Sequence, residues 1–404
     1  MLQFVDVWLP YGAYWSSPFV TWQGSFASLA PIPFAADLAK RALNERGIAA
    51  DRIHGVCLGN TVPSRHSFYG APWFAALAGL EHVSGPTINQ ACATSVRCAV
   101  QAAMELQSGS GTAWLAAAAD RTSNGPNLYY PDPGGPGGTG VSENWVLDNF
   151  GHDPYAGSSM LQTAENVARE AGISRAAQEE IALLRYSQYR GALANDGAFH
   201  SRFMLSPVEV RDSRGRKVLK TVAGDEGIFP TTADGLAGLR PVVEGGTVTS
   251  GTQTHPADGN AGMVLVAGRD RAREMSRTKG IDVQLLSYGE ARVKRGFMPM
   301  AVVPAARVAL ERAGLTPADL TSVTTHNPFA VNDVYFSREL PFDAERMNRH
   351  GSSLIWGHPQ GPTGLRAIIE LIEDLVGLGG GYGLFTGCAA GDSAAALTIK
   401  VSVS

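Results

Sequence analysis

Two stretches of the chain alternate strand-length apolar runs with helical apolar spacing, and a third stretch between them does not. Before about residue 124, residues 1–7, Ile53–Gly59 and Thr112–Ala119 read as strands. In the same stretch Val96, Ala99, Val100, Ala103 and Leu106 repeat at helical spacing over Ser95–Leu106. From about Thr247 the alternation resumes, with strands at Gly262–Ala267, Ser322–Thr325, Tyr382–Gly387 and Ala394–Val403, the last completing a sheet edge. Helices are expected over Val302–Ala313 and Leu365–Leu378. Such alternation predicts an α/β fold with helices packed on a sheet. Between about 125 and 245 the pattern changes to a Gly/Pro-rich loop at Pro131–Gly140, helical segments at Met160–Ala171 and Ser174–Ala194, and a polar, basic hairpin-like stretch at Val208–Val222. That segment reads as an insertion into the first unit.

Composition narrows the function classes. The chain has 404 residues, enough for two or three packed units. A net charge of -4 gives no support to a nucleic-acid surface. No apolar run of 18 residues appears, so no membrane span is expected, and the start lacks the pattern of a signal peptide. Cys57, Cys92, Cys98 and Cys388 are too few for a disulfide framework, and they form no Cys-x-x-Cys or His/Cys cluster that suggests a metal. A reduced, cytoplasmic protein without a metal is the expectation.

Two of these thiols have distinctive settings. Cys92 lies in Asn89-Gln90-Ala91-Cys92-Ala93-Thr94-Ser95, at the start of a helix. The backbone N–H groups and dipole there favour a thiolate, so its pKa should fall. Cys98, later in that helix, and Cys57, at a strand end, read as structural. Cys388 lies in Gly387-Cys388-Ala389-Ala390-Gly391-Asp392, after an apolar strand. Between them comes His358, in the tight Gly357-His358-Pro359-Gln360-Gly361 turn before a helix. A further histidine, His326, ends a strand in Thr325-His326-Asn327-Pro328-Phe329. A nucleophilic thiol, a second thiol and a histidine that titrates near neutrality form a set suited to acyl transfer through a thioester.

The order and wording of these segments resemble the thiolase family over most of the chain. The resemblance implies two similar αβαβα domains, residues 1–124 plus 246–272 and residues 273–404, with a coenzyme A-binding loop domain at 125–245. It implies Cys92 as the acylated nucleophile, His358 as the base for its thiol, and Cys388 as acid and base for the carbon acid. The backbone N–H groups of Cys92 and Ala390 would form one oxyanion hole, and His326 would position a water for the other. Departures are visible: Asn327-Pro328 replaces Glu-Ala, and Ala390-Gly391-Asp392 thins a glycine-rich loop. Coenzyme A is implied as a substrate, with no permanently bound cofactor. Thr254 would touch its pantetheine arm, and Arg211, Arg214, Arg216 and Lys217 on the hairpin-like stretch would meet its phosphates.

The family's arginines near the start and before the nucleophile helix are absent, and aromatics abound instead. Phe68, Tyr69, Trp73, Phe74, Tyr129 and Tyr130, followed by Trp145 and Phe150, are candidates for an acyl pocket. They suggest a bulky or aryl β-ketoacyl-CoA, of the benzoylsuccinyl-CoA kind met in anaerobic aromatic degradation. Each is equally a candidate for the core or a subunit interface. Two alternatives stay open: a non-catalytic thiolase-like subunit that binds coenzyme A, and a condensing enzyme of the ketoacyl synthase type, against which Cys388 speaks. The family implies a homodimer or tetramer, and some members work with a small zinc-ribbon/OB-fold partner.

Overall fold

The computed structural model describes residues 3–212 and 214–404; residues 1 and 2 of the expected first strand and residue 213 of the hairpin lie outside the described residues. Nine strands carry the architecture: β1 Gln3–Leu9, β2 Gly55–Gly59, β3 Thr87–Ile88, β4 Ala113–Arg121, β5 Ala257–Ala267, β6 Ile281–Arg292, β7 Leu320–His326, β8 Gly380–Ala389 and β9 Ser393–Val403. Their order across the sheet is β7-β8-β9-β6-β1-β5-β4-β2-β3, and the short strands Tyr14–Ser16 and Val20–Thr21 add to β5. β9 therefore lies between β8 and β6, inside the sheet and not at the edge that its terminal position suggested.

The two halves share one topology. In the first, β2 and β4 are parallel, while β4–β5 and β5–β1 are antiparallel. In the second, β7 and β8 are parallel, while β8–β9 and β9–β6 are antiparallel. Apart from the two-residue β3 at the edge of the first half, each half thus orders its strands second, third, fourth, first. The two first strands join the halves by an antiparallel pairing, with Val7 opposite Leu285 and Leu9 opposite Val283.

Four helices complete the layers: α1 Pro31–Glu45, α2 Thr94–Gln107, α3 Val302–Ala313 and α4 Thr363–Gly377. α1 packs on the outer face of the first half and α3 on the outer face of the second. α2 and α4 lie in the centre, in one apolar cluster with inward residues of both halves, such as Met263 and Leu265 from β5 and Leu397 and Ile399 from β9. Strands covered on both faces need no polar side, and β4 and β5 are accordingly almost wholly buried. Each large aliphatic that α4 buries, among them Leu365, Ile368, Ile369 and Leu371, contributes about 1.5–3 kcal/mol.

The chain between β4 and β5 adds nothing to the main sheet among the described residues. It forms a hairpin of Asn127–Tyr130 with Val141–Asn144 around the Gly/Pro-rich stretch, helices Met160–Glu170 and Arg175–Ala192, and a second hairpin, Val208–Arg211 with Val218–Val222. Ser159 and Ser174 cap the two helices by accepting backbone N–H bonds.

Buried ion pairs fasten this segment to the core. Arg185 donates to Asp333 at 2.8 Å. Arg366 on α4 donates to both oxygens of Asp225 at 2.6 and 2.7 Å, and to Glu370 at 3.0 Å. The Arg366 guanidinium also lies over the rings of Phe19 and Trp356. Removing one member of a buried pair strands the other charge in the interior. Arg366→Met is expected to lower the unfolding free energy by about 3–5 kcal/mol, with part of the loss recovered in Arg366→Met/Asp225→Asn. Urea denaturation of the three proteins checks this; an unchanged midpoint in the single variant would sink it.

Candidate active site

α2 and α4 both start at the seam between the halves. Leu365 N–H donates to Ser95 Oγ at 2.9 Å. A Cβ on Gly364 would come within 2.5 Å of Val96 Cγ2, so glycine is what lets the helix starts approach so closely. The turns before these helices hold the chemistry. Ala91 is left-handed at φ 46°, and Thr94 Oγ1 accepts the Gln90 N–H while its hydroxyl donates to the Ala91 carbonyl. This tight turn presents Cys92. In the second turn Gln360 is left-handed at φ 63°, and a Cβ on Gly361 would fall 2.6 Å from Asp120 Oδ2.

Asp120 is a positioning residue that the sequence reading missed. Its carboxylate accepts from the N–H groups of Thr61 (2.7 Å), Val62 (3.0 Å) and Gly361 (2.9 Å), and from the Thr61 hydroxyl (2.9 Å). Burial pushes its pKa up to about 7 even though these hydrogen bonds oppose the rise. The available signal was an aspartate ending an alanine run, where a carboxylate enters a buried strand end.

Cys92 Sγ lies 3.1 Å from His358 Nε2, and His358 Nδ1 lies 2.6 Å from Thr363 Oγ1. With Nδ1–H donated to Thr363, Nε2 presents its lone pair to the thiol; this tautomer is assigned from the hydrogen-bond network. Gln360 Oε1 lies 3.6 Å from the same sulfur. The expected fall in the Cys92 pKa is not found. Burial pushes the thiol up to about 11, outweighing the backbone N–H groups of Ala390 and of Cys92 itself, which favour the thiolate. Burial, and secondarily the neighbouring His326, hold His358 well below the ordinary histidine value. Both shifts favour the neutral thiol and the neutral imidazole.

His326 stacks on His358 with ring centroids 4.1 Å apart. Its Nδ1 meets Ser353 Oγ at 2.8 Å, its buried Nε2 has no protein partner among the described residues, and burial lowers its pKa to about 3. Asn327 holds structure: its side chain donates to Asp333 at 2.7 Å and accepts from the Leu354 N–H. Cys388 is buried at the end of β8, where Asn332 Nδ2 donates to its sulfur at 3.2 Å. Burial first, and the nearby Cys92 second, raise the pKa of the Cys388 thiol. Asn332 is a second residue the sequence reading missed. Ala390 has no left-handed φ, so its backbone conformation does not call for glycine.

Cys92, His358, Ala390 and Thr254 line one cavity of about 700 Å³. Thr254 is fixed at its wall, its N–H donating to Pro328 O at 2.7 Å and its hydroxyl to Ser353 O. The aromatic expectation requires correction. Phe68, Tyr69, Tyr129 and Tyr130 are exposed, Phe74 is buried in the core beneath α1, and Trp73 packs against that core; none of the six lines the cavity. The aromatics that do line it are Trp145, Phe150, Tyr155 and Phe329. Arg211, Arg214, Arg216 and Lys217 are exposed on the hairpin away from the cavity lining, and Arg211 pairs with Glu209. The sequence showed no His/Cys cluster, yet in space the donor atoms of Cys92, His326 and His358 lie within 4.8 Å of one another. They are the residues that could hold a metal ion, one protein ligand short of a closed zinc site.

A duplicated, five-layered α/β fold with a thiol and an imidazole at its seam is the architecture of an acyl-transfer enzyme. Residues 14–269 match the thiolase N-terminal domain and residues 280–401 the thiolase C-terminal domain, and the chain belongs to the thiolase family, a family of acyltransferases. It is 32% identical over 381 residues to the beta-ketothiolase BktB of Cupriavidus necator, covering 92% of this chain and 93% of that one. It is 30% identical over 390 residues to the acetyl-CoA acetyltransferase of Escherichia coli K12, covering 94% and 95%. The crystal structure of the Bacillus anthracis acetyl-CoA acetyltransferase superposes with a TM-score of 0.89 at 26% identity, over 99% of this chain and 100% of that one. Human mitochondrial 3-ketoacyl-CoA thiolase in complex with CoA shares the fold with a TM-score of 0.89 at 24% identity, over 100% of both chains.

A thiol raised to about 11 beside a histidine held below its ordinary value has no titration near pH 6.5. Alkylation of Cys92 by iodoacetamide, followed by peptide mass mapping, is expected to accelerate steadily from pH 6 through 9. A step near 6.5, or a plateau by neutral pH, would show that the resting pair is ionised and would overturn this account.

Proposed function

We propose that the chain is a thiolase that cleaves a bulky β-ketoacyl-CoA with coenzyme A through an acyl group on Cys92. The observation that carries this reading is the Cys92 sulfur 3.1 Å from His358 Nε2, with Ala390 on the lining of the same cavity. His358 takes the thiol proton as Cys92 attacks the keto carbonyl. The carbon–carbon bond breaks, and the leaving acyl-CoA carbanion takes its proton from Cys388. The thiol of coenzyme A then loses its proton to the Cys388 thiolate, attacks the thioester and releases the acyl group as a new acyl-CoA. The Cys92 thiolate regains its proton from His358. Backbone N–H groups of Cys92 and Ala390 serve the oxyanion of the acyl group, and His326 serves that of the thioester carbonyl. Splitting the reaction through a covalent thioester replaces one difficult step by two easier ones.

The segment 125–245 is assigned to the coenzyme A arm, with residues 1–124 plus 246–272 and 273–404 as the two domains. Thr254 would touch the pantetheine, and the exposed Arg211, Arg214, Arg216 and Lys217 would meet the nucleotide phosphates. Support for a bulky acyl group now rests on Trp145, Phe150, Tyr155 and Phe329 around the cavity. Against the non-catalytic alternative stands the intact Cys92–His358 pair, and the departure at Asn327 is accounted for by its bonds to Asp333 and Leu354.

Incubation with substrate and peptide mapping are expected to place the acyl label on Cys92; label on Cys98 or Cys388 instead would refute the assignment. Cys388→Ala is expected to block proton exchange at the α-carbon of acetyl-CoA while Cys92 still acylates. His358→Ala should slow acylation itself by roughly 10²–10⁴-fold. Equal loss of both half-reactions in both variants would overturn the division of roles. Burying a ring contributes about 1.5–3 kcal/mol, or roughly ten- to a hundredfold. Trp145→Ala should therefore lower kcat/KM for an aryl β-ketoacyl-CoA roughly tenfold more than for acetoacetyl-CoA, and equal losses would remove the case for a large acyl group.

A further inference from the structure

Arg292, the last residue of β6, contributes the only Lys or Arg side chain to the cavity lining among the described residues. Its Nε donates to the Gly391 carbonyl at 3.0 Å, and its guanidinium lies 5.1 Å from the Tyr155 ring centroid. These two contacts hold the group in place and leave its terminal nitrogens without a protein partner among the described residues. No carboxylate neutralises it, although acidic groups are close in sequence or line the same cavity. Glu290 is engaged by Gln90, Tyr288 and Arg97. Asp392 accepts the N–H groups of Gly296 and Phe297, and Asp153 those of Tyr155 and Ala156.

The anchoring carbonyl places this cation near the reacting sulfur. Gly391 follows Ala390, and Arg292, Gly391, Ala390 and Cys92 line the same cavity. We infer that Arg292 determines substrate specificity by binding a carboxylate at the far end of the acyl chain, which makes the preferred substrates β-ketoacyl-CoAs of dicarboxylic type. Arg292 is exposed at the cavity rim, where its guanidinium fork matches a carboxylate with paired N–H bonds. Phosphates of coenzyme A offer the same chemistry. They sit at the opposite end of the long pantetheine arm from the thioester, however, whereas Arg292 adjoins the loop that contacts the nucleophile. This inference rests on the thiolase reading of Cys92 and sharpens its substrate class.

The test compares two acyl-CoAs of equal length, one ending in a carboxylate and the other in its methyl ester. Calorimetric binding is measured on Cys92→Ser, and CoA-dependent cleavage on the chain with Cys92 intact, each with Arg292, Arg292→Lys or Arg292→Met. With Arg292 present the carboxylate ligand should bind, and turn over by kcat/KM, roughly tenfold or more better than the ester. Arg292→Met should abolish that ratio and Arg292→Lys should retain part of it. Because both ligands use the same Cys92 and Ala390, a merely structural loss at Gly391 would lower both and leave the ratio unchanged. Equal binding of the two ligands with Arg292 present, or an unchanged ratio in Arg292→Met, overturns the inference. So does an equal weakening of both ligands and of free coenzyme A in Arg292→Met, which would assign the cation to the phosphates. A binding preference for the carboxylate without cleavage of either ligand would sink the thiolase reading and leave the anion subsite standing. Cleavage of both without preference would do the reverse.

Discussion

The contact between the starts of α2 and α4 is the constraint on which the site depends. Gly364 lies against Val96 with no room for a side chain, and Leu365 donates its N–H to Ser95. The thiol comes from the turn before one helix and the imidazole from the turn before the other. A separation of 3.1 Å between Sγ and Nε2 therefore requires that the two helix starts meet with little freedom. Asp120 acts from the side, fixing residues of two loops on a single carboxylate. Proximity of this kind is built by packing long before any substrate arrives.

Dryness is the second property of the site. Cys388, His326 and His358 are buried, and Cys92 is mostly so. In that setting charge is costly, and burial shifts all four groups toward their neutral forms. Elsewhere buried charges come in closed sets such as Arg366 with Asp225. Those sets join the segment between β4 and β5 to the central layer.

Much of the fold was legible because both periodicities were intact. The apolar runs at β2, β4, β5 and β8 and the helical spacing of α2 and α4 appear in the linear pattern, and Cys92 and His358 announce themselves by the turns that present them. What the pattern could not carry was position across the sheet: the run at β9 looks the same at an edge as beside β6 and β8. Aromatic side chains misled for a related reason. Phe68 and Trp145 are both large and apolar in the sequence, yet one is exposed and the other lines the cavity that holds the thiol, and only the paths of distant loops decide which. Asp120 and Asn332 were missed because each acts through backbone groups or a sulfur far away in sequence. The helix-start argument for a low Cys92 pKa failed because burial is a larger effect than the local backbone dipoles.

The antiparallel join of β1 with β6 has a consequence for where chemistry can happen. Two halves of equal topology whose equivalent strands meet antiparallel are related by a pseudo-twofold axis running between those strands. Equivalent loops can touch one another only close to such an axis. The turns before α2 and α4 are equivalent loops, and they are the ones that meet. Cys92 and His358 come from equivalent turns of the two halves, so the 3.1 Å contact between thiol and imidazole spans the axis from one half of the molecule to the other.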